Sequence, residues 1–487
     1  MSIPEPEFVH LCESCNAEPA EPSGRCSKCE ANAGLGPAVA AEEWFDKTGF
    51  VPAKLGRLAE EIGHLRVGPD RGLWRYRDGV YSPDGDEWLA QFLRHHLGDE
   101  FRKHRVSEVM AWCKASLLEK IQVDPSTEFI NVANGLLYWR EDPPRLADHT
   151  PDIASAIQLP VEWRPEAKCS AVASFLESAL PEEDYGETVA FLLAWIGYCL
   201  VPEAPYKKAL LLVGPTDSGK STLLTLMENL LGHDNVSHAS LQVIAENAFA
   251  GADLHGKLAN IAADLDAKAP KSAGVFKQLV GGTDTIRVEK KYRDAFSFRP
   301  FAKLMFSANE PPGTSDQSDA FYGRWFILPM GRQKRGSDKI AGLDKRMSTP
   351  TELSGLLNLA VEELRRLDRR KQFAVPQAMT QAVDDYRART DTVVGFVEER
   401  CVLHDPKDRT RSSTVFADYT EWCDRNNRHA LGAGRFREHL GDVYPTVVFH
   451  KKLGGYPTWA GIRLLEPGEE MGSLGDPQTP IMKAVSQ

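Results

Sequence analysis

The sequence lacks any apolar run long enough to cross a lipid bilayer, and no signal peptide opens it. We therefore expect a cytoplasmic protein without membrane contacts. An excess of positive charge is also lacking, because the 487 residues carry a formal net charge of −11. Any contact with nucleic acid must therefore come from a local basic patch and not from the surface as a whole.

The nine cysteines stand in a chain without an export signal, which favours thiols and metal ligands over disulfides. Four of them form two close pairs, Cys12 with Cys15 and Cys26 with Cys29. Two such pairs can close tetrahedrally around Zn²⁺, and the segment between them would need the metal in order to fold. We predict a structural zinc module over residues 1–32; redox-active or accidental thiols are the alternative.

Residues 44–168 predict an α+β domain without a strong chemical motif. A hairpin is predicted over residues 73–81, followed by an amphipathic helix. Asp84 and Asp86 are spaced like the carboxylate pair that a polymerising primase would need, but Ser-Pro-Asp-Gly-Asp is typical of a turn before a helix. We therefore expect no priming site here.

The most informative segment is Gly-Pro-Thr-Asp-Ser-Gly-Lys-Ser-Thr, which fits the pattern G-x-x-x-x-G-K-[ST]. An apolar strand is predicted before it, and a helix that ends at Gly232 is predicted after it. Backbone N–H groups of such a loop, together with the helix N-terminus, form an anion site. The residues predicted to contact the nucleotide are Gly214, Pro215, Thr216, Asp217, Ser218, Gly219, Lys220, Ser221 and Thr222.

Two side chains of this segment have specific predicted roles. Lys220 would reach the β and γ phosphates, and Ser221 would offer its hydroxyl to Mg²⁺. Gly214 and Gly219 are expected because a Cβ would crowd a backbone folded against phosphate. The protein is therefore predicted to bind ATP with Mg²⁺. A chance Gly-Lys-Ser turn is the alternative, and the strand and helix around the motif argue against it.

A second apolar strand is predicted over residues 258–263 and ends in Asp264-Leu265-Asp266. A carboxylate at the end of a strand beside the phosphate loop is where Mg²⁺ is held and water is activated. Asp264 and Asp266 are therefore candidate catalytic acids, with Asp264 as the Mg²⁺ ligand. An Asp that caps a following helix is the alternative.

Alternating apolar residues over 286–298 predict two strands, and the tip between them carries Lys290, Lys291 and Arg293. We call this segment the basic hairpin. Its three cations can follow a phosphate backbone whatever the base sequence. A solvated turn explains the same charges equally well.

Two further polar residues adjoin predicted strands. Asn309 ends the strand 303–308, and its amide can orient an attacking water, although it can also simply start the Glu-Pro-Pro turn. Arg324 precedes another apolar strand and can serve a neighbouring subunit's nucleotide as an arginine finger. A structural ion pair is the alternative for Arg324.

The order of these motifs resembles superfamily 3 helicases, in particular the phage, plasmid and poxvirus primase-helicase family. The resemblance extends from about residue 129 to residue 465. Its matching elements are the segment 214–222, the strand ending at Asp264, Gly281-Gly282-Thr283-Asp284 with the Lys290-Lys291-Tyr292 hairpin, Phe306-Ser-Ala-Asn309-Glu-Pro-Pro, and Arg324-Trp-Phe-Ile-Leu-Pro.

The resemblance implies an AAA+-like core that assembles as a ring, usually a hexamer, with ATP at the subunit interfaces. It also implies that the basic hairpin faces a central channel and moves single-stranded DNA as ATP is hydrolysed. Where the family has two adjacent acids, this sequence has Asp-Leu-Asp, which leaves the choice between the two aspartates open. The roles implied are Lys220 and Ser221 as phosphate and Mg²⁺ ligands, Asp264 as the second carboxylate on the metal side, Asn309 as sensor and Arg324 as finger.

After the core, predicted over residues 169–335, we expect a helical region over 336–403, a winged-helix-like domain over 404–466 and a disordered tail over 467–487. The winged-helix prediction combines two helices with a Gly-Gly hairpin. A lid that packs on its own ring is the alternative. The candidate DNA contacts of this domain are Arg435, Arg437, Lys451 and Lys452.

The predicted fold class is therefore α/β, a P-loop AAA+-like helicase core with a parallel sheet, flanked by the domains described above. The predicted function is an ATP-dependent DNA helicase of a phage or plasmid replication system that acts on single-stranded and forked DNA as a homo-hexamer. A separate primase is the expected partner. The alternatives are an AAA+-like ATPase that remodels or loads protein and an ATP-switched DNA-binding initiator.

Overall fold

The computed structural model describes residues 34–37, 39–117, 126–246, 251–265, 273–282, 285–288, 296–314, 316, 318–331, 342–403, 407–426, 428, 430–453 and 455–466. No helix in these ranges combines the length and the apolar character that crossing a bilayer requires. Several predicted features lie outside the described residues. They are the four zinc ligands Cys12, Cys15, Cys26 and Cys29, the acid Asp266, the hairpin cations Lys290, Lys291 and Arg293, and the tail 467–487.

The first described unit is a small α+β fold. A buried apolar cluster that includes Leu55, Phe92 and Val109 joins its three helices. The predicted hairpin is confirmed as the antiparallel pair β4 and β5 in the following set. The elements are β1 (Phe45–Asp46), β2 (Gly49–Phe50), α1 (Pro52–Gly63), β3 (Arg66–Val67), β4 (Leu73–Arg77), β5 (Val80–Ser82), α2 (Gly85–Leu97) and α3 (Lys103–Ser116).

The two aspartates before α2 hold this unit together. Asp84 forms an ion pair with Arg75 at 3.0 Å. Asp86 accepts a hydrogen bond from the Leu73 N–H at 3.2 Å and forms an ion pair with Lys114 at 3.0 Å. The two carboxylates therefore fix the hairpin and α3 against the start of α2 through tertiary contacts, and within the described residues Asp84 makes no capping hydrogen bond of its own.

A three-stranded antiparallel sheet and two helices lead to the centre of the molecule. Gly135, at the turn between the first two strands of this sheet, has a φ of 154°. An added Cβ there would lie 2.5 Å from the Ala147 carbonyl oxygen, so only glycine fits. The elements are β6 (Ile130–Val132), β7 (Gly135–Tyr138), β8 (Arg145–Ala147), α4 (Ser170–Ala179) and α5 (Tyr185–Cys199).

A five-stranded parallel sheet forms the centre and makes the chain a mixed α/β protein. Its strands are β9 (Ala209–Val213), β10 (Val236–Ser237), β11 (Ala259–Ala262), β14 (Lys303–Ala308) and β15 (Trp325–Pro329), in the spatial order β10-β11-β14-β9-β15. Leu210 and Leu212 enter one apolar core while Leu211 enters the other, because successive side chains of a strand point to opposite faces. The apolar runs of the sequence are therefore strands covered on both faces.

Helices cover both faces of this sheet, and a two-stranded hairpin accompanies them. The antiparallel strands predicted for the basic hairpin are confirmed, with Ile286 opposite Phe298. These elements are α6 (Lys220–Leu231), α7 (Leu241–Glu246), α8 (Ala273–Gly281), β12 (Ile286–Val288), β13 (Phe296–Phe298), α9 (Asp319–Tyr322), α10 (Leu343–Met347), α11 (Pro350–Arg370) and α12 (Gln377–Thr390).

The last unit combines three described helices with a three-stranded sheet in which the strand 456–460 lies between the strands 409–411 and 448–453. The two helices and the hairpin predicted for a winged-helix-like domain are among these elements. The helical region predicted over 336–403 is not continuous near its end. It breaks at Asp391, whose Oδ1 accepts from the N–H groups of Val393 and Val394 and thereby starts a new helix. The elements are α13 (Thr392–Arg400), β16 (Cys401–Val402), β17 (Arg409–Arg411), α14 (Ser412–Arg425), α15 (Ala433–Val443), β18 (Val448–Leu453), β19 (Tyr456–Ala460) and β20 (Arg463–Leu464).

The close packing of α5 against α11 predicts the effect of one added methyl group. A Cβ at Gly197 would lie 2.3 Å from the Ala360 carbonyl oxygen, so we expect Gly197→Ala to destabilise the core by about 1–3 kcal/mol. Gly186 lies on the same helix with open space around it, and Gly186→Ala is the matched control. Denaturant unfolding followed by tryptophan fluorescence measures both. Equal midpoints for the two variants would contradict the packing.

Candidate functional site

The candidate site lies where three parallel strands end, which we call the carboxyl edge of the sheet. Strand β9 leads into the loop 214–219 and then into α6. The next two strands in the sheet, β14 and β11, end just before Asn309 and Asp264. Since neighbouring parallel strands end side by side, these segments meet at one edge, where ligands bind in open α/β sheets.

The loop 214–219 has a tightly turned backbone. Asp217 and Gly219 have φ of 62° and 96°, in the left-handed region. A Cβ at Gly219 would lie 3.1 Å from Phe175, and one at Gly214 would lie 2.9 Å from the Cβ of Met330. Glycine is thus required at both positions by the loop's own packing, which is a reason additional to the room for phosphate that the sequence suggested.

Lys220 is the centre of the site's hydrogen bonding. Its Nζ donates to the carbonyl oxygens of Gly214 and Pro215 at 2.7 and 2.8 Å and to Oδ1 of Asn309 at 3.1 Å. The residue is only 5% exposed, and burial lowers the pKa of its ammonium, although Asp264 and Asp217 act in the opposite direction. The structure therefore brings Lys220, Asn309 and Asp264 together, as the sequence predicted from strand ends.

Ser218 is a polar residue of the loop 214–219 whose hydroxyl is left without a hydrogen bond in the described part of the chain. It is 1% exposed, and its Oγ has no hydrogen-bond partner among the described residues. A buried hydroxyl without a partner is costly, so such groups in a native fold call for a ligand or water. Ser221 and Thr222, by contrast, lie in the first turn of α6, and the Ser221 side chain is exposed.

Asp264 is held in a strained conformation by a buried serine. Its φ is 53°, and its N–H donates to Oγ of Ser307 at 3.2 Å. The Leu265 N–H donates to the Ser307 carbonyl at 2.8 Å. Ser307 in β14 thus fixes the turn that follows β11 and presents the Asp264 carboxylate at the edge.

Arg324 lies at the opposite edge of the sheet. It immediately precedes β15, and Trp325 pairs with Ala209, the first residue of β9. Its guanidinium donates to the Ala320 carbonyl, and within the described residues it makes no ion pair. The structure therefore does not bring Arg324 to the loop 214–219 of its own chain.

Sequence reasoning missed Ser307 and the segment that α12 contributes. Ser307 is a polar residue after the apolar run Leu304-Met305-Phe306 of its strand, and that contrast was a usable signal. Arg389 of α12 pairs with Glu310 at 2.7 Å, and the Tyr386 hydroxyl donates to the Pro312 carbonyl at 2.7 Å. These contacts position the turn after Asn309, and no motif in the local sequence predicts them.

Two buried serines at this edge give a matched prediction. Ser307→Ala removes the acceptor that fixes Asp264, so we expect a loss of about 1 kcal/mol in the free energy of unfolding. Ser218→Ala removes a hydroxyl that has no partner and should leave stability close to that of the unchanged chain. Denaturant titration compares the two. A larger loss for Ser218→Ala would contradict the hydrogen bonding described here.

Two family models match parts of the chain. Residues 56–181 match a family described as D5 N terminal like. Residues 212–324 match DUF5906, a family of unknown function. The second range begins at the end of β9 and finishes at Arg324, so it contains the loop 214–219, Asp264 and Asn309 as well.

Among solved structures, the chain is similar to the C-terminal region of NrS-1 in its apo form. Three structures of that region align at 11% identity, with TM-scores of 0.46, 0.45 and 0.47. Each alignment covers 84% of this chain and 98%, 98% and 99% of the respective other chain. A likeness at this level carries no conclusion about activity.

Proposed function

We propose that this chain is an ATP-dependent DNA helicase of a phage or plasmid replication system and that it acts as a ring. The observation that carries the proposal is the hydrogen-bonded cluster of Lys220, the loop 214–219 and Asn309 beside Asp264. A lysine held in this way at the carboxyl edge of a parallel sheet suits a phosphate group. The match to the family described as D5 N terminal like supports the assignment to a replicative primase-helicase type.

The residues present fit ATP and Mg²⁺. The three acceptors of Lys220 are neutral oxygens, so they leave its positive charge for an anion. The unused Oγ of Ser218 offers a donor inside the loop, and the exposed Ser221 hydroxyl starts α6. Hydroxyl and carboxylate oxygens, here Ser221 and Asp264, are ligands that suit Mg²⁺.

Each of these side chains has a separate role in hydrolysis. Lys220 neutralises charge on the phosphates. Asn309 can orient water, because its amide both donates and accepts. Asp264, or its undescribed neighbour Asp266, accepts the proton of that water or binds the ion. Bound Mg²⁺ supplies positive charge for the departing phosphate oxygens.

DNA contacts are proposed at two places. The first is the tip of the basic hairpin, whose strands β12 and β13 pair as expected. The second is the last unit, where Arg435, Arg437, Lys451 and Lys452 are all exposed. In that unit Arg437 lies over the Phe449 ring at 4.9 Å. Exposed cations beside aromatic rings suit single strands through phosphate attraction and base stacking.

The proposal also includes a zinc module and a separate enzyme that makes primers. Cys12, Cys15, Cys26 and Cys29 would hold a structural Zn²⁺. Asp84 and Asp86 are engaged in ion pairs within the first unit, so they offer no free carboxylate pair for polymerisation. A separate primase therefore remains the proposed partner.

The first test of this function is Lys220→Ala. Loss of the ammonium should reduce ATP hydrolysis by about 100-fold or more, because phosphate charge is no longer neutralised. Lys207→Ala, an exposed lysine before β9, is the matched control and should keep full turnover. Phosphate release with and without single-stranded DNA measures both variants. Near-normal hydrolysis by Lys220→Ala would remove the nucleotide assignment.

The second test separates the helicase from its rivals. Lys290→Ala combined with Lys291→Ala should keep DNA-independent hydrolysis but lose unwinding of a forked duplex, because the basic hairpin would no longer grip the strand. Lys345→Ala with Arg346→Ala, an exposed basic pair in α10, is the control.

Three outcomes are distinct in this experiment. Normal unwinding by the hairpin variant refutes the channel role. Hydrolysis that ignores DNA in the unchanged protein supports an ATPase that remodels protein. Binding of origin DNA without turnover supports an initiator.

A further inference from the structure

Three metal-ligating side chains meet at the far end of α6, away from the loop 214–219. Glu228 lies in the last turns of the helix, His233 in the 3₁₀ turn that follows, and His238 directly after β10. The Glu228 Oε1, His233 Nδ1 and His238 Nε2 atoms all lie within 4.8 Å of one another. Oε1 is 2.7 Å from the His233 nitrogen and 3.2 Å from the His238 nitrogen.

The orientation of His238 is set by its other ring nitrogen. Nδ1 lies 3.0 Å from the Ile261 carbonyl oxygen, which can only accept, so Nδ1 carries the hydrogen. In a neutral ring Nε2 then presents a lone pair. This lone pair faces the Glu228 carboxylate oxygen, which is also an acceptor. Two acceptors at this distance are spaced as two ligands of one cation would be.

The backbone around His238 is fixed by a buried amide. Asn260 in β11 is fully buried; its Oδ1 accepts from the Ala239 N–H at 2.9 Å and from the Ser237 hydroxyl at 2.8 Å. Its Nδ2 donates to the Ala239 carbonyl at 2.9 Å. Both neighbours of His238 are therefore held by one side chain. The bond from the His238 ring to the Ile261 carbonyl is the kind of outer hydrogen bond that orients histidine ligands in metal sites.

The turn that carries His233 is held in a comparable way. Gly232 has φ of 88°, and a Cβ there would lie 2.9 Å from Pro160. The Asn235 amide donates to the carbonyls of Leu231 and Gln158 at 2.7 Å each. The backbone next to His233 is therefore fixed, while its side chain is 80% exposed, bonded to Glu228 and stacked with the His238 ring.

We propose that Glu228, His233 and His238 form a binding site for a divalent transition-metal ion of the zinc type. Two imidazoles and one carboxylate suit Zn²⁺ better than Mg²⁺ or Ca²⁺, which prefer oxygen ligands. Ligand atoms in a tetrahedral zinc site stand about 3.3 Å apart, which is close to the 3.2 Å between Glu228 Oε1 and the His238 nitrogen and longer than the 2.7 Å between Oε1 and the His233 nitrogen. Three protein ligands leave one position open to water.

The site differs from those of the proposed helicase in place and in chemistry. It ties the end of α6 to the edge strand β10, and it contains no thiolate. Its existence does not depend on hydrolysis of ATP or on DNA binding. The ion would act as a cross-link between two elements that the sheet already positions, and the open position would face solvent.

Equilibrium Co²⁺ and Zn²⁺ titrations of the full chain test the proposal. The unchanged protein should bind one metal equivalent more than Glu228→Gln or His238→Ala, and this equivalent should lack the charge-transfer absorption of a thiolate site. Glu228→Gln keeps the shape of the side chain and should weaken this binding by about tenfold or more. Zn²⁺ should raise the melting temperature of the unchanged protein more than that of either variant.

Two control variants and one further ligand variant allow the titrations to be interpreted. His104→Ala changes an exposed histidine elsewhere and should bind metal like the unchanged chain. Cys12→Ser with Cys15→Ser should remove thiolate absorption and keep the additional equivalent. His233→Ala, at a mostly exposed position, tests the site without disturbing the core. Equal metal content in all variants, or an additional equivalent only at millimolar metal, overturns the proposal and leaves a hydrogen-bonded trio.

Discussion

A buried ammonium surrounded by neutral oxygens is the constraint on which the candidate site depends. All three N–H donors of Lys220 are taken, two by loop carbonyls and one by Asn309. These neutral oxygens satisfy the N–H donors of Lys220 without neutralising its positive charge. Because Lys220 is buried, water screens the attraction between this charge and an anion only weakly. A phosphate that enters must replace one acceptor. Of the three acceptors Asn309 contributes a side chain, so under the proposed function a bound phosphate would free its amide to hold water.

The sheet supports this arrangement through single polar residues in its central strands. Ser307 in β14 is buried and fixes the turn that carries Asp264. Asn260 in β11 is equally buried and fixes the segment around His238. The Asn260 amide is paired through both of its polar atoms, and the Ser307 Oγ accepts from the Asp264 N–H, so neither side chain is a buried polar group without a partner. A parallel sheet of mostly apolar strands thus positions Asp264 and the segment around His238 at its edges with few buried polar atoms.

Much of this architecture was predictable from the sequence because its signals are local. The loop 214–219 stands between an apolar strand and an amphipathic helix, and apolar runs ended where β11, β14 and β15 end. The break at Asp391 was missed because a single capping side chain decides it. Three features depend on tertiary packing and are not encoded by any spacing rule in the sequence. They are the strand order, the hydrogen bond between Ser307 and Asp264, and the contact between Glu228 and His238.

The position of Arg324 has a consequence for assembly. The register of β15 against β9 places it at the start of the strand, whereas the loop 214–219 follows the end of β9. Five residues of extended strand span about 17 Å, too far for a side chain to return to its own loop. If Arg324 completes a phosphate site, that site belongs to another copy. Such a contact joins two different surfaces, and repeated head-to-tail contacts of that kind form a ring where the rotation closes and an open filament where it does not. The proposed finger therefore requires a second copy of the chain, and the proposed ring is one assembly that supplies it.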